Sequence, residues 1–79
     1  MSEADKMFEK LGYEKFENKD LIEYKLKEYD GMTSIIFNKI TKSFLKHEFY
    51  RDSGYINTLE FIAIIEKYDE LGWTYGEEK

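Results

Sequence analysis

The sequence predicts an α+β domain of order α-β-β-β-β-α, a four-stranded antiparallel meander with two helices packed on one face. Three observations predict it. Apolar residues recur at helical spacing near both ends, within residues 4–11 and 61–71. Between them, residues 13–50 form short β-branched and aromatic runs that alternate with polar residues. The breaks between those runs are only a few residues long, too short for the crossovers that parallel strands require.

The first helix is expected over residues 3–11. Ser2 can cap it, with Asp5 three residues on, and Ala4, Met7, Phe8 and Leu11 form one apolar stripe. Glu3, Asp5, Lys6, Glu9 and Lys10 are left to the solvent. Residues 13–17 read as a short strand and 18–20, Asn-Lys-Asp, as a turn. Residues 21–29 set Ile22, Tyr24 and Leu26 against Glu23, Lys25 and Lys27, a half-buried strand. Asp30-Gly31 is a strong hairpin signal. Residues 33–38 and 43–50 are the third and fourth strands, joined by a polar tight turn at 38–42. The last helix is expected over 58–71, opened by Asn57 with Glu60 three residues later. Its core face is read as Phe61, Ile64, Ile65, Tyr68 and Leu71.

Two similar segments, FEKLGY at 8–13 and YDELGW at 68–73, follow the two amphipathic stripes. In each, glycine comes just after the last apolar helical residue, where a left-handed cap favours it. The expected capping contacts are Phe8 with Tyr13 and Tyr68 with Trp73.

With 79 residues the chain makes one domain, with an ordered core over about 3–73 and a polar tail at 74–79. It has no cysteine, so neither a disulfide nor a thiolate metal site is available. No apolar run approaches the ~20 residues of a membrane span, and the N-terminus lacks the apolar stretch of a signal peptide. A cytoplasmic protein is expected. The formal net charge is −5, distributed as −3 over residues 1–30, +2 over 31–56 and −4 over 57–79. An acidic total disfavours generic DNA binding, which neutralises phosphates.

Catalytic signatures are weak. The single histidine, His47, alternates with Glu48 on a strand, so the two point to opposite faces. Ser53 lacks the G-x-S-x-G context of a nucleophile elbow, and the strand carboxylates alternate with lysines, as in solvated cross-strand pairs. Neither an enzymatic activity nor a cofactor is expected. Single-stranded nucleic acid is the alternative ligand. Sheets that bind it present aromatics beside basic residues, here Tyr24, Tyr29, Phe37, Phe44, Phe49 and Tyr50. Lys39, Lys42, Lys46 and Arg51 are the candidate contacts.

One feature exceeds the needs of a two-layer fold. Residues 61–65, FIAII, are five consecutive apolar residues, and Leu59, Ile62 and Ala63 lie away from the expected core face. A helix apolar over so much of its circumference is covered on more than one side. Either the first helix covers Ile62, or a partner does, most simply a second copy. Leu59, Ile62 and Ala63 are the candidate interface; the sheet edge is the other route to a homodimer.

The stretches MFEKLGYEKFEN, IIFNKITKSF and INTLEFIAIIEKYDELGW together resemble a group of small uncharacterised proteins from phages and prophages of Gram-positive bacteria. These start with an M-F-E-x-L-G-Y-like segment and end in a helix carrying E-L-G-W. The resemblance spans residues 7–73. One departure is visible: the group's helix often reads E-L-x-A-I, whereas residues 59–65 here are more apolar. The resemblance implies a phage or prophage accessory protein and no catalytic residues. The function expected from the sequence is therefore protein–protein interaction without catalysis.

Overall fold

The computed structural model describes residues 2–28, 31–49 and 55–73. In chain order the elements are α1 (Glu3–Lys10), β1 (Glu14–Glu17), β2 (Leu21–Glu28), β3 (Gly31–Asn38), β4 (Ser43–Phe49) and α2 (Thr58–Leu71). The strands form one antiparallel sheet in the order β1-β2-β3-β4, the expected meander. Both helices cover the same face.

The register shows why one face is apolar at its centre. Across the four strands, Glu17, Ile22, Phe37 and Phe44 form one row, and Lys15, Tyr24, Ile35 and Lys46 form the next. Ile22, Tyr24, Ile35 and Phe37 belong to the central strands and are fully buried beneath the helices. Phe8 of α1 stacks on Tyr24 with ring centroids 3.9 Å apart and meets Phe37 edge-on. Tyr68 of α2 packs against Phe37 and Phe44. Thus α1 lies over the β1–β2 side and α2 over the β3–β4 side.

The helices run antiparallel to each other. The N–H of Ala4, at the start of α1, donates to a carboxylate oxygen of Glu70 near the end of α2, at 2.9 Å. At the other end, Met7, Lys10 and Leu11 border the same groove as Leu59 and Ile62. Ala4 and Ala63 are fully buried, and Ala63 shares a helix side with Glu70, seven residues on. Small side chains there let the two helices approach closely.

The helix ends follow the sequence. The Ser2 hydroxyl accepts from the Asp5 N–H, and Asn57 with Glu60 forms a complete capping box. Gly12 and Gly72 are both left-handed, with φ of 99° and 75°. The N–H of Gly12 donates to the Glu9 carbonyl and that of Tyr13 to Phe8; Gly72 and Trp73 donate likewise to Asp69 and Tyr68. Both are Schellman caps. The rings of Phe8 and Tyr13 meet edge-on at 5.6 Å, and those of Tyr68 and Trp73 at 5.1 Å. The repeated Leu-Gly-aromatic segment is thus one way of ending a helix, used twice.

The β2–β3 turn differs in detail from expectation, and the β3–β4 turn lies where it is expected. Gly31 is already paired with Glu28, so it opens β3 and is not a central turn residue; Tyr29 and Asp30 lie outside the described residues. In the β3–β4 turn, Asn38 Oδ1 accepts from the N–H groups of Ile40 and Thr41. Lys42 there takes a left-handed φ of 56° without being glycine.

A side chain at either capping glycine meets the left-handed penalty of about 1–2 kcal/mol. A Cβ at Gly12 would also sit 3.0 Å from Leu26 Cδ1, whereas one at Gly72 meets nothing within 4 Å. Urea denaturation is therefore expected to show Gly72→Ala losing about 1 kcal/mol and Gly12→Ala clearly more. Equal losses would contradict the tight packing at Gly12.

Candidate interaction surface

The rotation of α2 about its own axis creates the surface. Glu60 and Lys67 point into the fold and are only 6% and 5% exposed, while Leu59, Phe61, Ile62 and Ile65 are 60%, 55%, 45% and 49% exposed. Helix faces normally sort the other way. The stripe buried on α2 is Glu60, Ala63, Ile64 and Lys67, displaced about one residue from the Phe61, Ile64, Ile65, Tyr68, Leu71 face that the sequence predicts. Phe61 and Ile65 are surface residues.

Two charged clusters hold α2 in this rotation. Glu60 Oε2 accepts from the Tyr13 hydroxyl at 2.6 Å, and its Oε1 accepts from Lys46 Nζ at 2.9 Å and from the Asn57 N–H at 3.2 Å. Lys46 also pairs with Glu48 and donates to the Tyr55 carbonyl. On the far side, Asp5 Oδ1 accepts from the Tyr24 hydroxyl at 2.6 Å and from Lys67 Nζ at 3.3 Å, and Oδ2 accepts from Lys15 Nζ at 2.8 Å. Lys67 also lies 3.7 Å from Glu70. Lys15 and Lys46 occupy the same row at opposite edges of the sheet. Each edge thus presents a lysine to a helix carboxylate, and each carboxylate takes a tyrosine hydroxyl as well.

These contacts set the ionisation of the clusters. Burial alone would raise the Asp5 carboxyl, but hydrogen bonds from Lys15 and Tyr24 and the charge of Lys67 outweigh it and hold it at about 2. Burial likewise opposes ionisation of Glu60, and the bonds from Tyr13, Lys46 and the Asn57 backbone lower it nonetheless. Burial and the adjacent carboxylates push the Tyr13 and Tyr24 hydroxyls well up.

With Glu60 and Lys67 turned inward, the first two turns of α2 present apolar side chains to the exterior. On the α1 side, Leu59 and Ile62 join Met7, Leu11 and the stem of Lys10 around a groove of about 320 Å³. Phe61 and Ile65 continue the apolar surface toward β4. Glu66, Asp69 and Glu70 occupy the outer and α1-facing sides of the C-terminal half.

Of the candidate interface residues, Leu59 and Ile62 are exposed as expected. Ala63 is not: it is fully buried where the helices meet, so it belongs to the core. The first helix covers Ile62 only in part. Phe61 and Ile65, predicted on the core face, complete the surface instead; the run FIAII carries that signal, but apolar side chains at helical spacing alone imply burial.

Among the described residues, the candidate nucleic-acid contacts do not come together as a basic patch. Lys46 is sequestered between Glu48 and Glu60, with its side chain 8% exposed. Lys39 donates to Glu17 and to the Asn18 carbonyl, Lys42 is exposed in the β3–β4 turn, and Arg51 lies outside the described residues. Tyr24 and Phe37 are core residues and unavailable for base stacking; Tyr29 and Tyr50 lie outside the described residues. His47 is exposed on the sheet face away from the helices, opposite in direction to Glu48, and its ring centroid is 4.2 Å from that of Phe49. Among the described residues no group of three or more histidine, aspartate or glutamate side chains is placed to hold a metal ion. No helix among them is long and apolar enough to cross a membrane.

Compared with protein-family models, curated proteins and solved structures, the chain matches none of them.

The charged clusters make stability depend on pH from both sides. Asp5 and Glu60 have folded values below their ordinary 3.8 and 4.5, so their contribution is present above those values and is lost as pH falls below them, that of Asp5 as pH approaches about 2. Tyr13 and Tyr24 have folded values above their ordinary 10.0, so their contribution is full below that and is lost at higher pH. Thermal unfolding followed across pH is expected to show a neutral plateau with an acid decline. Asp5→Asn should lower the plateau and flatten the decline; an unchanged acid profile would show that the Asp5 cluster does not contribute.

Proposed function

We propose that this chain is a non-catalytic interaction protein that docks another protein on the outer side of α2. The observation that carries the reading is the inversion of that helix. Glu60 and Lys67 are turned into the fold, and Leu59, Phe61, Ile62 and Ile65 are turned out. An exposed contiguous apolar surface on a small domain is characteristic of an interaction site, and Leu59, Ile62 and Ile65, each three residues from the next along one helix, offer apolar anchors to a helix or groove on a partner. The resemblance of MFEKLGYEKFEN, IIFNKITKSF and INTLEFIAIIEKYDELGW to phage and prophage proteins supports an accessory role in such a genome. A cytoplasmic setting accords with a chain that uses no cysteine.

The test compares two baits, the wild-type chain and a Phe61→Asp/Ile65→Asp variant, against a Gram-positive bacterial lysate and a differently tagged second copy. Both substituted residues are about half exposed, so circular dichroism should show the fold retained. The wild type is expected to hold at least one protein that the variant loses. Identical retention by the two baits would overturn the reading.

A further inference from the structure

We infer that the occupant of this surface is a second copy of the chain, with the two α2 helices packed antiparallel about a two-fold axis between Ile62 and Ile65. The inference rests on the interaction reading above and names its partner.

The outer stripe of α2 is self-complementary when reversed. Thr58, Phe61, Ile62, Ile65 and Asp69 lie along it at i, i+3, i+4, i+7 and i+11. Reversal about the midpoint of Ile62 and Ile65 sets Ile62 of one copy against Ile65 of the other, on both sides of the axis. The same operation brings Asp69 beside Thr58 at the other copy's helix N-terminus. A two-fold interface needs this kind of self-matching patch.

Charge fixes the direction. The last turn of α2 carries Asp69 and Glu70 and no basic residue, which is unfavourable against the helix's own dipole. Glu70 is already relieved inside the chain, because antiparallel α1 offers it the Ala4 N–H. An antiparallel second α2 does the same for Asp69 by supplying a positive N-terminal turn. Glu66 lies on the groove side of the helix, so reversal also carries it toward Lys10 of the other copy. Parallel packing would instead set Glu66 and Asp69 against the same acids.

The lack of cysteine among these 79 residues allows a clean test on the intact chain. Thr58 and Asp69 are both exposed and roughly 16 Å apart along one helix, beyond the reach of a disulfide within the chain. Sedimentation of the wild type is expected to give twice the chain mass at micromolar concentration, and Ile62→Asp should give the monomer. Asp69→Lys lies away from the core and keeps the fold. It should weaken the dimer roughly threefold or more without lowering monomer stability. Oxidation of a Thr58→Cys/Asp69→Cys variant should yield covalent dimer, while Thr58→Cys alone should not. A wild-type monomer at high micromolar concentration overturns the second copy as occupant. If a lysate protein is still lost on Phe61→Asp/Ile65→Asp, the broader interaction reading survives that result; if none is, both fail. Faster cross-linking of Thr58→Cys alone overturns the antiparallel arrangement.

Discussion

Glu60 is the residue on which the arrangement of the fold turns. One carboxylate closes the capping box of α2, takes the hydroxyl of Tyr13 just after α1, and takes the ammonium of Lys46 on the far edge strand. It therefore ties the beginning of one helix to the end of the other and to the sheet. A helix held this way cannot roll to bury Phe61 and Ile65 without stranding a buried carboxylate and its donors, a change that costs several kcal/mol when one partner of a buried pair is lost. The apolar exterior of α2 follows from this constraint.

The second cluster gives the first its effect. A single point of attachment leaves a helix free to pivot, but Lys67 is held on Asp5 two turns further along α2. Asp5 in turn is fixed by Lys15 and Tyr24. Between the clusters lies the aromatic core of Phe8, Tyr24 and Phe37. The sheet thus sets apolar residues at its centre and lysines at its edges, and the helices answer with apolar residues at the centre and acids at the margins. Buried ion pairs are a weak source of net stability; here they select one helix rotation among several that hydrophobic burial would permit.

Much of this was legible in the sequence. Element order, both helix N-caps, both glycine caps and their aromatic contacts are local features, encoded within a few residues of where they act. The alternation of Ile22, Tyr24 and Leu26 gave the correct sheet face because strand pleating leaves only two choices. The rotation of α2 was not legible, because a helix offers a continuum of faces and its apolar residues cover more than half of the circumference. What decides the matter is the location of Tyr13, Lys46 and Asp5, residues far away in sequence. Ala63 was misplaced for the same reason, and Lys46 looked like a surface cation because its two carboxylate partners, Glu48 and Glu60, are brought together only by folding.

The cap at the end of α2 has an optical consequence. Trp73, the only tryptophan of the chain, is half-buried with its ring near Tyr68 and Phe37. Its indole therefore sits on the joint between helix and sheet, beside Tyr68, which can pass excitation energy to it. Emission from this one chromophore reports whether the last turn of α2 is seated, so the molecule carries an intrinsic fluorescent gauge at the end of the helix opposite its apolar surface.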